Sequence, residues 1–345
     1  MLLTVGDVTV DLFLALPRLP DSGGDVHGSQ MRLRAGGSAA NTAAVAAALG
    51  WPAGLIGAVG TDPLGEWALR ELAAAGVEIS NLQRRPEAPT SLIAILVTPD
   101  GERTMISYRG ASRLAALNPT AWESLDRATA FHFSGYALLD EGPLFHTATA
   151  LLHEARRRGR LCALDPGLPA CRMAPEAVRA AARQVDVLLL TEAEAALLFA
   201  SNPCQALQEE RPRWVVVKQG ARGCQVLGRM GETLQAPAFP VAAMDTTGAG
   251  DAFAAGFLMA MVRGASPAAA ALLGNAAGAL ACTVWGIIGA FPGRSAVRGL
   301  LARARSSPDW RPWGDALEEA LGLLGSEPPD ISTARGPWMR PRPRS

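Results

Sequence analysis

Short apolar segments alternate with longer helical ones along most of this chain, and no other feature constrains its fold as strongly. Strand and helix in alternation favour an α/β fold, a three-layer sandwich with a mostly parallel central sheet. Strands are predicted at 2–5, 54–59, 91–97, 131–134, 161–165, 185–190 and 214–218. Helices are predicted at 39–49, 66–75, 144–158, 175–183, 192–200, 252–263 and 267–284.

Four segments depart from that alternation. Residues 9–33 and 90–109 have the pattern of extended β structure with polar turns. Residues 268–290 approach the length of a membrane span, but they are rich in Ala and interrupted by Gly, which favours a buried core helix. The end of the chain is rich in Pro and Arg without periodicity. We therefore expect one domain over 1–315 and a flexible tail over 316–345.

The composition excludes several classes of function. Lys+Arg and Asp+Glu are both 32 and aromatic residues are 6%, so neither nucleic acid nor a membrane is expected as a partner. The N-terminus is apolar but contains Asp7 and Asp11 and lacks a basic start, which predicts a strand and not a signal peptide. The five cysteines are odd in number and widely spaced, which argues against a disulfide framework. A cytoplasmic protein is expected.

The sequence DTTGAGDAF at 245–253 is the strongest sign of chemistry. Its glycines allow the N–H groups of Gly248, Ala249 and Gly250 to turn towards an anion at the start of a helix. Asp251 then lies in the first helical turn beside that anion, where a carboxylate can deprotonate a hydroxyl during phosphoryl transfer. The alternative interpretation is a tight turn with an acidic helix cap.

A second motif, GGSAAN at 36–41, opens another helix far upstream. Gly36 and Gly37 let a ligand approach the backbone, and Asn41 offers both a donor and an acceptor. Asn is also an ordinary residue at helix starts. The two motifs together are more specific than either alone.

With these two motifs the chain resembles the ribokinase-like (PfkB) carbohydrate kinases over roughly residues 2–300. The residues at 36–41 are similar to the family's N-terminal signature, and those at 245–258 to its C-terminal signature. The resemblance implies ATP-dependent transfer of the γ-phosphoryl group to a hydroxyl of a small sugar, with Mg²⁺ and, in several relatives, K⁺. It also implies that the segments near 9–33 and 90–109 form a small β-sheet lid, through which some members form homodimers.

The resemblance assigns roles to individual residues. Asp251 is the base and Gly248, Ala249 and Gly250 form the anion hole. Sugar binding falls to Asp11, Gly36, Gly37, Asn41 and Arg109. Nucleotide binding falls to Thr191, Glu194, Lys218, Gly220, Gly223 and Asn275, with Glu194 also organising Mg²⁺ through water. Asp245 and Thr247 match positions that hold a monovalent cation.

One departure from the family pattern keeps other functions open. Thr191 stands where the family usually has Asn in an Asn-x-x-Glu motif, although Glu194 keeps the acidic position. A nucleoside kinase of the same fold is the first alternative, with Tyr108 and Phe13 as the lid aromatics that could stack a base. A metabolite-binding protein without catalysis is the second, and the intact Asp251 argues against it.

Overall fold

The larger of two sheets forms the middle layer of the molecule. The computed structural model describes residues 1–100, 102–200, 202–208 and 212–325. Its strands are β1 (Leu2–Val5), β2 (Thr9–Ala15), β3 (Gln30–Gly36), β4 (Ala53–Gly60), β5 (Leu82–Arg85), β6 (Ser91–Val97), β7 (Arg103–Tyr108), β8 (Ala130–Ser134), β9 (Leu161–Asp165), β10 (Val187–Thr191), β11 (Trp214–Lys218), β12 (Cys224–Gly228) and β13 (Thr233–Ala236). Nine of them pair in the order β13-β12-β11-β10-β9-β8-β1-β4-β5. Only the β11–β12 and β12–β13 pairings are antiparallel among these strands, so the predicted mostly parallel sheet is confirmed.

Helices cover both faces of this sheet. They are α1 (Ser38–Ala48), α2 (Pro63–Ala74), α3 (Pro119–Arg127), α4 (Pro143–Arg157), α5 (Leu168–Met173), α6 (Pro175–Ala182), α7 (Glu192–Phe199), α8 (Cys204–Gln208), α9 (Ala249–Val262), α10 (Pro267–Ala281), α11 (Gly293–Arg305) and α12 (Gly314–Gly325). Successive side chains of a strand point to opposite faces of the sheet and so belong to two separate hydrophobic cores. Leu2 packs with α1, α9 and α10, whereas Leu3 packs with α3 and α4. The three-layer sandwich is therefore confirmed.

The second sheet is small and separate from the large one. Its four strands pair in the order β3-β2-β6-β7. Strand β2 is antiparallel to β3 and parallel to β6, and β7 returns antiparallel to β6. Every residue of β7 from Thr104 to Tyr108 is exposed, so this strand gains little from burial. The predicted small sheet is confirmed, and we call it the lid.

The C-terminal third differs from the sequence-based prediction in two places. Helix α10 ends at Ala281, and residues 282–290 form turns in place of the predicted continuous helix over 268–290. Gly286 and Gly289 have φ of 70° and 75°, a backbone conformation that a helix cannot contain. Residues 314–325 form α12, whose Leu317 and Ala320 are buried, although the predicted tail begins at 316. Residues 326–345 of that predicted tail lie outside the described residues.

Among the described residues, no helix combines the length and the apolar character needed to cross a bilayer. The predicted core role of α10 fits this result, because ten of its residues are buried within the protein.

Candidate active site

A left-handed glycine begins the helix that carries the predicted base. Gly248 is the N-cap of α9 with φ 76° and ψ 0°, a conformation that residues with a Cβ rarely adopt. A side chain at this position would also overlap Ile287. The first-turn N–H groups of α9 have no partner within the helix and carry its positive dipole end. Ala249 uses its N–H in a long bond of 3.3 Å to the carbonyl of Thr246.

Asp251 lies in the first turn of α9 and is held by α1. Ser38 Oγ donates to Asp251 Oδ1 at 2.7 Å, and Asn41 Nδ2 donates to Oδ2 at 2.8 Å. Burial raises the pKa of Asp251 to about 6, and the Asp165 carboxylate acts in the same direction against the opposing effects of Asn41, Ser38 and Lys218. A carboxylate with a pKa nearer neutrality is a better general base than an ordinary aspartate.

Asp11 extends from β2 towards the same space. Its Oδ1 accepts a 2.7 Å hydrogen bond from Thr9 Oγ1. Burial raises the pKa of Asp11 to about 6, and repulsion from Asp251 and Asp245 adds to the rise, while the Thr9 hydrogen bond lowers it. A side chain at Gly36 would overlap the Asp11 carboxylate. The glycine is therefore needed for this carboxylate to occupy its place beside the base.

Gly37 and Arg109 both contact the loop that follows β1. Gly37 has φ 102°, and a Cβ there would overlap the backbone oxygen of Asp7. Arg109 follows β7 and donates to Asp7 Oδ1 at 3.1 Å, to Asp140 Oδ2 at 2.6 Å and to Tyr136 O at 2.7 Å. These contacts join the end of the lid to the loops after β1 and β8, where Arg109 stands between two carboxylates.

A buried ion pair lies next to the predicted anion hole. Lys218 at the end of β11 pairs with Asp165 at the end of β9. Burial opposes the charge on Lys218, but the carboxylates of Asp165 and Glu194 outweigh it and raise the lysine pKa. A Cβ at Gly250 would lie 3.1 Å from Lys218 Nζ. The ammonium group therefore lies directly beside the predicted anion hole.

Thr191 and Glu194 cap helix α7 reciprocally. Thr191 N donates to Glu194 Oε2 at 2.8 Å, and Glu194 N donates to Thr191 Oγ1 at 3.3 Å, which forms a capping box. Burial raises the pKa of Glu194, and the Asp165 carboxylate adds to the rise while Lys218 opposes it. The hydroxyl that replaces the family's usual amide thus has a local structural partner.

These carboxylates fit a magnesium ion bound together with phosphates. Mg²⁺ in phosphoryl-transfer sites commonly takes one or two protein carboxylates and completes its shell with phosphate and water. Asp165 and Glu194 are buried and repel one another, so a nearby cation would stabilise both. No group of three or more His, Cys, Asp or Glu that could enclose a metal by itself occurs in the described part of the chain.

The predicted glycine loop and Asn275 meet near β13. Gly220 and Gly223 have φ of 59° and 90°, and a Cβ at Gly223 would overlap the carbonyl of Ala236. Asn275 Nδ2 donates to Pro237 O at 2.9 Å and to Ala236 O at 3.4 Å. The buried side-chain amide of Asn275 therefore has hydrogen-bond partners, which are backbone carbonyls next to the loop that follows Lys218.

Asp245 and Thr247 face an arginine from the lid. Arg103 donates to Asp245 Oδ1 at 2.9 Å and to Thr247 Oγ1 at 2.7 Å. Asp245 also accepts hydrogen bonds from Thr247 N at 2.9 Å and Gly286 N at 3.3 Å. A guanidinium group thus occupies the side of this loop at which a monovalent cation was predicted.

The predicted Asn41 and Asp251 are hydrogen-bonded to each other, and Lys218 lies beside Gly250. The predicted Gly223 and Asn275 lie together against Ala236. Four further residues that the sequence reasoning did not select belong to the same constellation. Two of them had a local signal: Ser38 lies inside the GGSAAN motif, and Asp165 ends a predicted strand. Asp7 and Arg103 had none, because their partners are distant in sequence.

Comparisons with known proteins bear on the family of this chain. The family model described as "pfkB family carbohydrate kinase" matches residues 1–292. An ATP-dependent ribose-1-phosphate kinase of Halopiger xanaduensis is 34% identical over 278 residues, which cover 81% of this chain and 90% of that protein. A fructokinase of Klebsiella pneumoniae is 32% identical over 304 residues, which cover 84% of this chain and 95% of that protein.

A solved structure extends the similarity to the whole fold. Ribokinase of Arabidopsis thaliana, complexed with ribose and ATP, superposes with a TM-score of 0.74 at 25% identity. The superposition covers 87% of this chain and 97% of that chain. The two-sheet architecture is therefore shared over nearly the full length of that protein.

Proposed function

The chain belongs to the pfkB family of carbohydrate kinases, and we propose that it transfers the γ-phosphoryl group of ATP to a hydroxyl of a small sugar. One observation carries this proposal: Asp251 lies in the first turn of α9, behind the left-handed Gly248, with a pKa raised to about 6. A poised base beside a helix start is the arrangement that phosphoryl transfer to an alcohol needs.

The side chains divide the chemistry between them. Asp251 takes the proton of the attacking hydroxyl, while Ser38 and Asn41 fix both of its oxygens. The N–H groups of Gly248 and Gly250 stabilise the negative charge that develops on the transferred group. The Ala249 N–H joins them by exchanging its long 3.3 Å bond to the Thr246 carbonyl for one to the phosphoryl oxygen. Lys218 lies beside Gly250 and adds a positive charge next to the hole.

The nucleotide side of the site follows β10 and β11. When bound, ATP supplies the phosphoryl group and Mg²⁺ neutralises its phosphates. Glu194 and Asp165 are the carboxylates that would hold the ion, in part through water, with Thr191 orienting Glu194 through the capping box. The Gly220–Gly223 turn gives the phosphates access to the backbone, and Asn275 keeps the adjoining segment in place.

Asp11 and Asn41 support a polyhydroxylated acceptor. A carboxylate accepts hydrogen bonds from two neighbouring hydroxyls, as a sugar presents them. Gly36 and Gly37 allow the Asp11 carboxylate and the Asp7 backbone to pack closely at this position, and Arg109 holds the Asp7 loop that borders it. The relatives named above act on ribose 1-phosphate and fructose, as their names state, which supports a pentose or ketohexose here.

A nucleoside kinase is the second candidate because of an aromatic pair at the base of the lid. Phe13 packs edge-to-face on Trp285, with ring centroids 5.7 Å apart. Tyr108, the other lid aromatic, is registered with Leu92 and therefore points to the face opposite Phe13. A purine base could therefore stack on only one of these two lid aromatics, which favours a sugar as the substrate.

The substrate class is tested by measuring ADP release with ATP and Mg²⁺ across ribose, fructose, ribose 1-phosphate and adenosine. Selective turnover of a sugar supports the proposal, and selective turnover of adenosine replaces it with the nucleoside kinase. Thermal stabilisation by a sugar without ADP release would contradict catalysis and indicate a binding protein.

We also propose that two copies associate through the outer face of the lid. Met31, Ile106 and Tyr108 are 66%, 61% and 53% exposed, and their register places them on the face turned away from Asp11. Apolar residues exposed together on a sheet face commonly mark an interface. Sedimentation of the wild type should give a dimer and that of Ile106→Glu a monomer, whereas an unchanged dimer would exclude this face.

A cytoplasmic location is part of the same proposal. Cys171, Cys204, Cys224 and Cys282 form no disulfide, and proteins that function in oxidising compartments commonly pair their cysteines. Fractionation of the source cells with a tagged full-length chain tests it, and recovery from an extracytoplasmic fraction would contradict it.

A further inference from the structure

Arg103 reaches from the lid to the loop that precedes the anion hole. It is the first residue of β7, yet it bonds to Asp245, which lies 142 residues further along the chain. The same guanidinium donates to Thr247 Oγ1 at 2.7 Å and to Thr246 Oγ1. Three consecutive residues of the DTTGAG motif are therefore held by one side chain.

Asp245 organises this loop and needs a positive partner. Its carboxylate is 1% exposed, and it also accepts the N–H groups of Thr247 and Gly286. A carboxylate this deeply buried is costly unless a cation or several donors compensate its charge. The Arg103 guanidinium, itself 27% exposed, provides that compensation from the solvent side.

The same contacts bear on the predicted monovalent cation site. Asp245 Oδ1 and Thr247 Oγ1 accept hydrogen bonds from Arg103, and Asp245 Oδ2 accepts one from Gly286 N. A potassium ion at these oxygens would have to displace the guanidinium or share the site with a second positive charge. The residues present therefore do not fit K⁺ while Arg103 is in place.

We propose that Arg103 is a positioning residue that supplies, from the lid, the positive charge on which the anion-hole loop depends. The inference rests on the proposed phosphoryl transfer. Gly248 follows directly after the three residues that Arg103 holds, so the loop conformation and the hole are set together. Because Arg103 belongs to the lid, the hole is fully ordered only when the lid lies against the loop. Turnover is accordingly independent of K⁺.

The test compares the wild type with Arg103→Ala, Arg103→Lys and a matched control, Arg18→Ala. Arg18 is also a lid arginine in an ion pair, but its partner is the exposed Asp21. Values of kcat and KM are measured with NaCl and with KCl at equal ionic strength, and with low guanidinium chloride. Hydrogen–deuterium exchange of residues 245–250 provides a second readout that does not require turnover.

We expect the wild type and Arg18→Ala to have the same kcat in Na⁺ and K⁺. Arg103→Ala should lose roughly ten- to a hundredfold in kcat, the scale of a small misplacement of catalytic groups, with a smaller change in KM for the sugar. Guanidinium or K⁺ should restore part of that loss, and Arg103→Lys should lie between the two. The amides of 245–250 should exchange faster only in the Arg103 variants.

Two results would overturn the proposal. One is a wild type whose turnover requires K⁺. The other is Arg103→Ala with wild-type kcat and wild-type exchange at residues 245–250. If the wild type phosphorylates nothing in the panel but Arg103→Ala still accelerates exchange at 245–250, the proposed function fails while the structural link between lid and loop stands.

Discussion

Asn41 Nδ2 donates a 2.8 Å hydrogen bond to Asp251 Oδ2 across 210 residues of sequence. This bond joins the first turns of α1 and α9, and so it joins the two motifs that identify the site. Both helices pack in the same core on one face of the large sheet. The position of the base is thus fixed by the packing of the sandwich and not by a mobile loop.

Removal of the Asn41 bond should shift the pH dependence of catalysis. The bond lowers the pKa of Asp251, so Asn41→Ala should move the acidic limb of the kcat/KM profile to higher pH and reduce the plateau. Asn118→Ala, which removes the N-cap of the distant helix α3, is the control and should leave the limb in place. An unchanged limb in Asn41→Ala would mean that another group governs it.

The wild-type profile itself should fall below about pH 6. Asp251 must be a carboxylate to accept a proton, and burial raises its pKa to about 6. Activity is therefore present above that pH and is lost as the pH falls through it. Asp11, whose pKa is also raised to about 6, steepens the loss. A profile that remains flat down to pH 4.5, checked against protein stability, would contradict both assignments.

Substitution of the base should stabilise the folded chain. The folded pKa of Asp251 lies above that of the unfolded chain, so its ionisation opposes folding increasingly as the pH rises above about 4, and fully above about 6. Asp251→Asn should raise the free energy of unfolding by about 1–2 kcal/mol at pH 8, and the gain should vanish below about pH 4. Urea unfolding at the two pH values measures it, and a destabilised variant at pH 8 would argue against a strained base.

Gly248→Ala should damage both the fold and the hole. The positive φ of 76° costs a residue with a Cβ about 1–2 kcal/mol, and the Cβ would also overlap Ile287. Gly231→Ala is the matched control, because Gly231 has φ 93° but no neighbour within 4 Å. Both variants should lose stability in thermal unfolding, but only Gly248→Ala should lose kcat. Equal kcat values for the two variants would contradict the proposed role of Gly248 in the anion hole.

Substitutions of Lys218 and Asp165 should have strongly coupled effects on the free energy of unfolding. Lys218→Met leaves the buried Asp165 carboxylate without its cation, which should cost about 3–5 kcal/mol. The double variant Lys218→Met with Asp165→Asn should recover most of that loss, because neither buried charge then remains. Denaturant unfolding of the four proteins in a double-mutant cycle measures the coupling. Additive losses would mean that the pair is not closed in solution.

The fold class could be predicted from the sequence because it is encoded locally, and the motifs from which the site residues were selected are local as well. Alternating strands and helices, the glycines of 36–37 and 248–250, and Asp251 are visible in short windows of sequence. Arg103 could not be found in this way, since its role depends on how the lid lies over the loop at Asp245. The end of α10 at Ala281 was missed because the apolar composition continues through the turns that follow it.

The most direct test of the central claim is a single-turnover measurement of phosphoryl transfer from ATP with Asp251→Asn and the wild type, using the sugar that the panel selects. The account predicts that Asp251→Asn binds ATP and sugar with nearly wild-type affinity but transfers the phosphoryl group at least about a hundredfold more slowly. Transfer by Asp251→Asn at the wild-type rate would contradict the account, because the proton of the acceptor hydroxyl would then be leaving by another route.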